Sequence, residues 1–151
     1  MAEIVESIEI SRRPEEVFEY ATDFTHFPEW QLGVMSARRE DDGPVSLGSR
    51  ATVIRQAGPR KLSRTEEITE LDAPRTWTVR GVGDPLIAVA KGAIEPIDEG
   101  DRSRLTITLE FEAHGIGTGL LPLVTRQARK QLPKNEQKLK NLLERSRTNT
   151  S

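Results

Sequence analysis

The strongest constraint on this chain lies at its C-terminal end. From about Thr118 to about Arg145, the residues Leu121, Val124, Ala128, Leu132, Leu139 and Leu143 recur at helical intervals with charges between them. That is an amphipathic helix with one apolar stripe, roughly 40 Å long at ~1.5 Å per residue. So long a stripe must be buried against something, and what precedes it is a run of short strands. The clearest is Arg104 to Glu112, where Leu105, Ile107, Leu109 and Phe111 oppose Thr106, Thr108, Glu110 and Glu112. Such alternation marks an antiparallel strand with one face in the core and one in water. Residues 32–39, 50–56, 62–71, 76–82 and 86–97 read as further strands. Asp41-Asp42-Gly43-Pro44, Gly58-Pro59, Asp72-Ala73-Pro74-Arg75, Gly83-Asp84-Pro85 and Asp98-Glu99-Gly100-Asp101 turn the chain between them. Connections this tight argue against βαβ units. The expected fold class is α+β: a curved antiparallel sheet of about six to seven strands gripping the long helix. One helix cannot fill a strongly bent sheet, so a cavity between the two is a natural consequence.

The N-terminal third completes the plan. Residues 2–10 alternate and carry β-branched side chains, which predicts the first strand. Pro14 is preorganised for a first helical position, and Glu15 and Glu16 then sit at the positive end of the helix dipole. Val17, Phe18 and Ala21 supply its apolar face. Asp23 or Thr25 can cap a second short helix that ends at Trp30. In the long helix Pro122 falls where proline is tolerated, whereas Pro133 falls inside and predicts a kink. Residues 1–145 read as a single domain, with 146–151 as a polar, frayed tail.

Composition narrows the function classes. The chain has 151 residues and no cysteine, which excludes disulfides, thiolate nucleophiles and cysteine-based metal sites, and suits a reducing compartment. Residues 1–6 lack a basic and then apolar leader, and no stretch nears the roughly 18 apolar residues of a membrane span, so a cytoplasmic protein is expected. A net charge of −2 predicts no general attraction to nucleic acid. The charge is uneven, however. Residues 1–30 carry eight acids and two bases, while residues 120–151 carry eight bases and two acids, Glu136 and Glu144. The favoured reading is a solvated helix face whose cations suit the C-terminal end of the dipole; an approach to an anionic membrane or partner is the sharper one.

Several segments together carry a resemblance. The opening strand to Ile10, then Pro14-Glu15-Glu16-Val17-Phe18, Asp23 and Pro28-Glu29-Trp30, resembles the N-terminal signature of the polyketide cyclase/dehydrase-type families. These belong to the START-like, Bet v 1-like superfamily of helix-grip proteins. Residues Glu67 to Arg75 are similar to that family's paired-strand turn, and Leu139 through Glu144 to its closing helix. The resemblance implies a deep apolar pocket between sheet and helix that takes lipids, sterols, hormones or polyketides. It does not separate carriers, receptors, cyclases and co-chaperones.

No constellation assigns a catalytic residue. Gly115-Ile116-Gly117-Thr118-Gly119 could cradle a phosphate, but no strand and acidic residue follow the helix, so a hinge is the better reading. His26 and His114 are far apart in sequence, and no triad or HExxH spacing occurs. No metal and no cofactor is expected. Arg64, Glu67 and Arg80 lie on mid-sheet strands; facing inward they could orient a carbonyl or phenol or move a proton, though outward, solvated charges are favoured. The candidate cavity wall comprises Phe24, Trp30, Val53, Trp77, Val79, Val89 and Leu109 on the sheet side. Leu121, Val124, Thr125 and Ala128 form its helical roof. The expected partner is a small apolar, lipid- or polyketide-like molecule. The alternatives are a polyketide cyclase or dehydratase and a protein-interaction module on the basic helix.

Overall fold

The structure is a computed structural model and describes residues 3–57, 59–83 and 86–149. Ala2 of the expected first strand, Gly58 and Asp84-Pro85 of the expected turns, and Thr150 and Ser151 of the expected tail lie outside them. Strand β1 (Glu3–Ile10) leads into helix α1 (Pro14–Thr22), a tight helical turn (Phe24–His26) and the short helix α2 (Phe27–Trp30). Six strands follow: β2 (Val34–Arg39), β3 (Arg50–Ala57), β4 (Arg60–Asp72), β5 (Thr76–Val82), β6 (Leu86–Ile97) and β7 (Arg102–Ala113). After a tight helical segment (Gly115–Leu120), helix α3 (Leu121–Asn149) closes the fold. The strands form one curved antiparallel sheet in the order β1-β7-β6-β5-β4-β3-β2. This is the expected helix-grip α+β architecture, with seven strands.

Local chemistry explains the elements. Pro14 opens α1 with Glu15 and Glu16 in its first turn, and Asp23 Oδ1 accepts from the Thr25 N–H at 3.0 Å to start the next turn. On the concave face, β7 presents Leu105, Ile107 and Phe111 and β5 presents Trp77 and Val79, all buried. They meet the stripe Ala128, Leu132, Leu139 and Leu143 of α3 in one core.

One sequence expectation shifts, the bounds of the last helix. Helix α3 starts at Leu121, because the glycine-rich segment before it forms tight helical turns, and it runs on to Asn149 rather than ending near Arg145. It also continues through Pro133, whose ring lies on the exposed side of the helix. The C-terminal half of α3 is latched to the end of β1. Ser11 N donates to Glu144 Oε2 at 2.9 Å, Arg12 Nη1 to Leu143 O at 2.7 Å, and Lys140 Nζ to Glu9 O at 2.8 Å. The N-terminal half is tied down by none of these bonds, and it roofs a cavity.

Candidate functional site

Strand direction fixes the cavity's two ends. Because neighbours are antiparallel, the β3–β4, β5–β6, α2–β2 and β7–α3 connections all fall at one end of the sheet. Helix α1 packs across β6 and β7, and its Phe18 meets the Trp77 ring edge-on at 5.5 Å. That corner is the floor. Between it and the connections lies a cavity of about 340 Å³, within the range of small-ligand sites.

Its floor and long wall are apolar. Ala21, Trp77, Gly92 and Ile107 line the depth, with Val79, Leu109 and Phe111 toward the opening. Gly92 is Trp77's cross-strand partner, and a Cβ there would overlap the indole. The missing side chain is what allows Trp77 to lie flat across β6.

The wall toward the opening is polar. β4 alternates Leu62, Arg64, Glu66 and Ile68 onto the concave face. Ile68 is wholly buried, and the other three line the cavity. Arg55 on β3 also lines it; its Nη2 donates to Glu66 Oε2 at 2.8 Å and to Gln31 Oε1 at 3.3 Å. The Glu66 side chain is only 12% exposed, and this pairing gives its carboxyl a hydrogen-bond partner away from water. Arg64 Nη1 donates to Leu86 O at 2.6 Å, and among the described residues no carboxylate lies within ion-pair reach of it. On α3, Val124, Ala128 and Leu132 make an apolar row at i, i+4 spacing beside a parallel amide row of Gln127, Gln131 and Asn135. Asn135 Oδ1 accepts from the Leu32 N–H at 2.8 Å, which orients the amide row toward β2 and β3. Trp30 is part of the wall, and its buried Nε1–H has no hydrogen-bond partner among the described residues.

Of the residues expected at the wall, the structure brings Trp30, Trp77, Val79, Leu109, Val124 and Ala128 together around the cavity. Five stand elsewhere. Phe24 is wholly buried behind the wall, 5.2 Å from the Phe27 ring that takes its place. Val53 is packed with Ala51 and Ile68 in the core, and Arg55 two residues on reaches the cavity instead. Val89 has the opposite parity on β6: it pairs with Arg80 and Glu110 on the convex face. Leu121 and Thr125 lie on the next helical row, about 60° and about 100° round from Val124, and border a shallow groove with Arg126 and Arg129. Among the three mid-sheet charges, Arg64 is the inward one, against the favoured reading. Glu67 pairs with Arg50 at 2.6 Å and Arg80 with Glu112, both on the outer face.

Neither histidine joins the cavity wall. His26 is hydrogen-bonded to Glu29 and stacked on Tyr20 at 4.1 Å; burial and Glu29 push the Tyr20 hydroxyl up to about 12. His114 precedes the glycine-rich turns.

A sheet gripping a helix over an apolar cavity with a polar mouth defines the helix-grip fold. The family model for polyketide cyclase / dehydrase and lipid transport matches residues 1–144, and the chain belongs to that family. No match is found among curated proteins. The fold is shared with TTHA0849 from Thermus thermophilus, at TM-score 0.74 and 19% identity over 93% of this chain and 95% of that one. A START superfamily protein from Mycobacterium smegmatis gives 0.74 and 16% over 95% and 97%. The di-domain ARO/CYC BexL from the BE-7585A biosynthetic pathway gives 0.73 and 17%, over 95% of this chain and 47% of that one. No described helix is long and apolar enough to cross a membrane.

Proposed function

We propose that the chain is a cytoplasmic carrier or receptor for a mostly apolar small molecule, lipid- or polyketide-like, held apolar end first with an oxygen-bearing head at Arg64. The observation that carries this reading is the gradient along the cavity: Trp77, Gly92 and Ile107 at the floor, and Arg64, Arg55 and the glutamine row at the mouth. Apolar walls favour burial by roughly 25 cal/mol per Å². A guanidinium with no carboxylate partner and a buried indole N–H with no acceptor among the described residues are donors that a carbonyl, phenolate or carboxylate oxygen can satisfy. The family description, which names lipid transport beside cyclases, is consistent with this.

The test is native mass spectrometry of protein gently purified from its expressing cells, together with tryptophan-emission titrations against fatty acids and polycyclic phenols. An adduct lost on denaturation, or saturable quenching abolished by Ala128→Trp, is the expected result; Ala128 is on the roof, and an indole there fills much of the cavity. A clean apo mass together with no quenching by either ligand class refutes the reading.

One observation favours a catalytic alternative, a polyketide cyclase or dehydratase. Glu66 is a carboxylate in the wall two residues from Arg64, placed where it could take a proton while Arg64 steadies the enolate oxygen that forms. Under that reading Glu66→Gln abolishes turnover of a poly-β-keto substrate yet leaves its binding intact; a carrier releases the ligand unchanged.

A further inference from the structure

Most of the large apolar side chains that the described residues expose lie near the cavity's open end; Leu47, in the β2–β3 connection, is at the other. Ile116 is 87% exposed and Leu120 49%, both in the segment joining β7 to α3, and Leu123, in the first turn of α3, is 62% exposed. Leu62, at the start of β4, is 45% exposed and also lines the cavity, and Val82 closes the set at the end of β5. Strand direction gathers these residues, from three separate connections, around one opening. Groups left in water this way on a folded monomer mark a contact surface.

The charge on the segments that carry them is mostly positive. Residues 113–135 contain no acid, nor do residues 57–65; Asp84 is the single acid in the third connection. Arg126 and Lys130 follow Leu123 by three and seven residues, so they share its helix face. Arg60 and Lys61 immediately precede Leu62. All four cations are exposed, and none has an ion-pair partner among the described residues. The molecule as a whole carries −2, so this basic end is a local feature. Helix α3 reinforces the arrangement, since its latches to β1 are confined to its C-terminal half.

We propose that this end docks on an anionic lipid bilayer surface. Ile116, Leu120 and Leu123 enter the headgroup region, and Arg126, Lys130, Arg60 and Lys61 face lipid phosphates. Apolar tips ringed by cations have the composition of interfacial membrane anchors. Charge complementarity chooses this occupant over a second copy of the chain, whose matching end would be equally basic. Docking itself needs no cavity ligand. Only its purpose, the passage of an apolar molecule between bilayer and cavity without crossing water, rests on the ligand reading.

The experiment is flotation with vesicles of phosphatidylcholine alone or mixed with phosphatidylglycerol. Wild type is expected to float with the mixed vesicles at low salt, to float less as salt rises, and not to float with phosphatidylcholine alone. Arg126→Gln with Lys130→Gln should lower the partition coefficient about fivefold for each cation removed. Ile116→Glu with Leu123→Glu should abolish flotation at unchanged melting temperature, both side chains being mostly exposed already. Ala128→Trp should float as wild type does, so loss of the ligand reading and loss of docking are read on separate measurements. Absent flotation at low salt, equal flotation with both vesicle types, or wild-type behaviour of both surface variants overturns the proposal.

Discussion

Glu136 supplies the sharpest test of how this fold is held together. The apolar stripe of α3 runs Leu132, then Leu139 and Leu143, and the helical interval between the first two demands one more inward position. Glu136 occupies it, 1% exposed. It faces Glu6 of β1 and Ile107 of β7, and its Oε2 has no hydrogen-bond partner among the described residues. Burial pushes its pKa from the ordinary 4.5 up to about 8; the Glu6 charge adds to the rise, and a backbone hydrogen bond at Ile107 opposes it. The folded state therefore binds more protons than the unfolded state between those two values. The associated stability is fully present below pH 4.5 and is lost as pH climbs toward 8. At about 1.4 kcal/mol per pH unit, the loss has a ceiling of about 5 kcal/mol, a large part of the ~5–15 kcal/mol that holds a typical domain.

Glu136→Gln removes the ionisation and keeps the shape. The variant should unfold in urea like wild type near about pH 5 and be more stable by a few kcal/mol near about pH 8.5. Wild type should weaken steadily across that interval and the variant should not, when both are followed by tryptophan emission. Glu6→Gln should recover only a minor part, because burial is the larger cause. Parallel stability curves for wild type and Glu136→Gln would mean that the carboxylate is already ionised in the folded state, and the argument from burial would fall.

Two further predictions concern the cavity. Gly92→Ala drives a methyl into the Trp77 ring, an overpacking cost of about 1–3 kcal/mol; a lower thermal midpoint and an altered tryptophan emission are expected, and an unchanged midpoint would mean that Trp77 has room to swing aside. Arg64→Gln should weaken binding of a carboxylate-headed ligand about 10- to 100-fold, the worth of a hydrogen bond to a charged group. Arg80→Gln, which breaks a surface pair with Glu112, should leave binding alone and cost at most about 1 kcal/mol of stability. Equal effects of the two arginine variants on affinity, measured by titration calorimetry, would contradict the inward and outward assignments.

What could be read from the sequence follows from what alternation reports. Periodicity says which residues share a face. It placed β5 and β6 at their observed bounds and identified the concave side of β7 by its apolar residues. It does not say what a polar residue on that face looks into. On β4, Leu62 and Ile68 anchor the inward parity, so Arg64 and Glu66 between them were already assigned inward by the pleat; the general rule that charges avoid burial concealed it. The same rule hid Glu136, although the gap between Leu132 and Leu139 announced a buried position. Val89 failed the other way: an apolar residue sits on the convex face between Arg80 and Glu110, where long charged side chains cover it. Gly92 carried no signal at all, because its role depends on a ring from the neighbouring strand.

The departures from the pattern are of two physical kinds. Arg64 and Glu66 are inward charges whose protein partners, the Leu86 carbonyl and the Arg55 guanidinium, meet part of the cost of leaving water. They stand at the wet end of a cavity, where a ligand or solvent can meet the rest. Glu136 is sealed beneath the helix beside a second acid, with one oxygen unpaired among the described residues, and the backbone hydrogen bond at Ile107 offsets only a minor part of the cost of ionising it. A stability-only argument would replace all three with apolar residues. It should succeed at Glu136, where Glu136→Leu is expected to stabilise at every pH above about 5. It should fail in function at Arg64, where a leucine would leave the fold intact and the ligand's head group without its donor. Local rule-breaking of this sort concentrates where a fold does something besides fold, and the different outcomes expected at Arg64 and Glu136 separate a site from a buried charge with no ligand to meet.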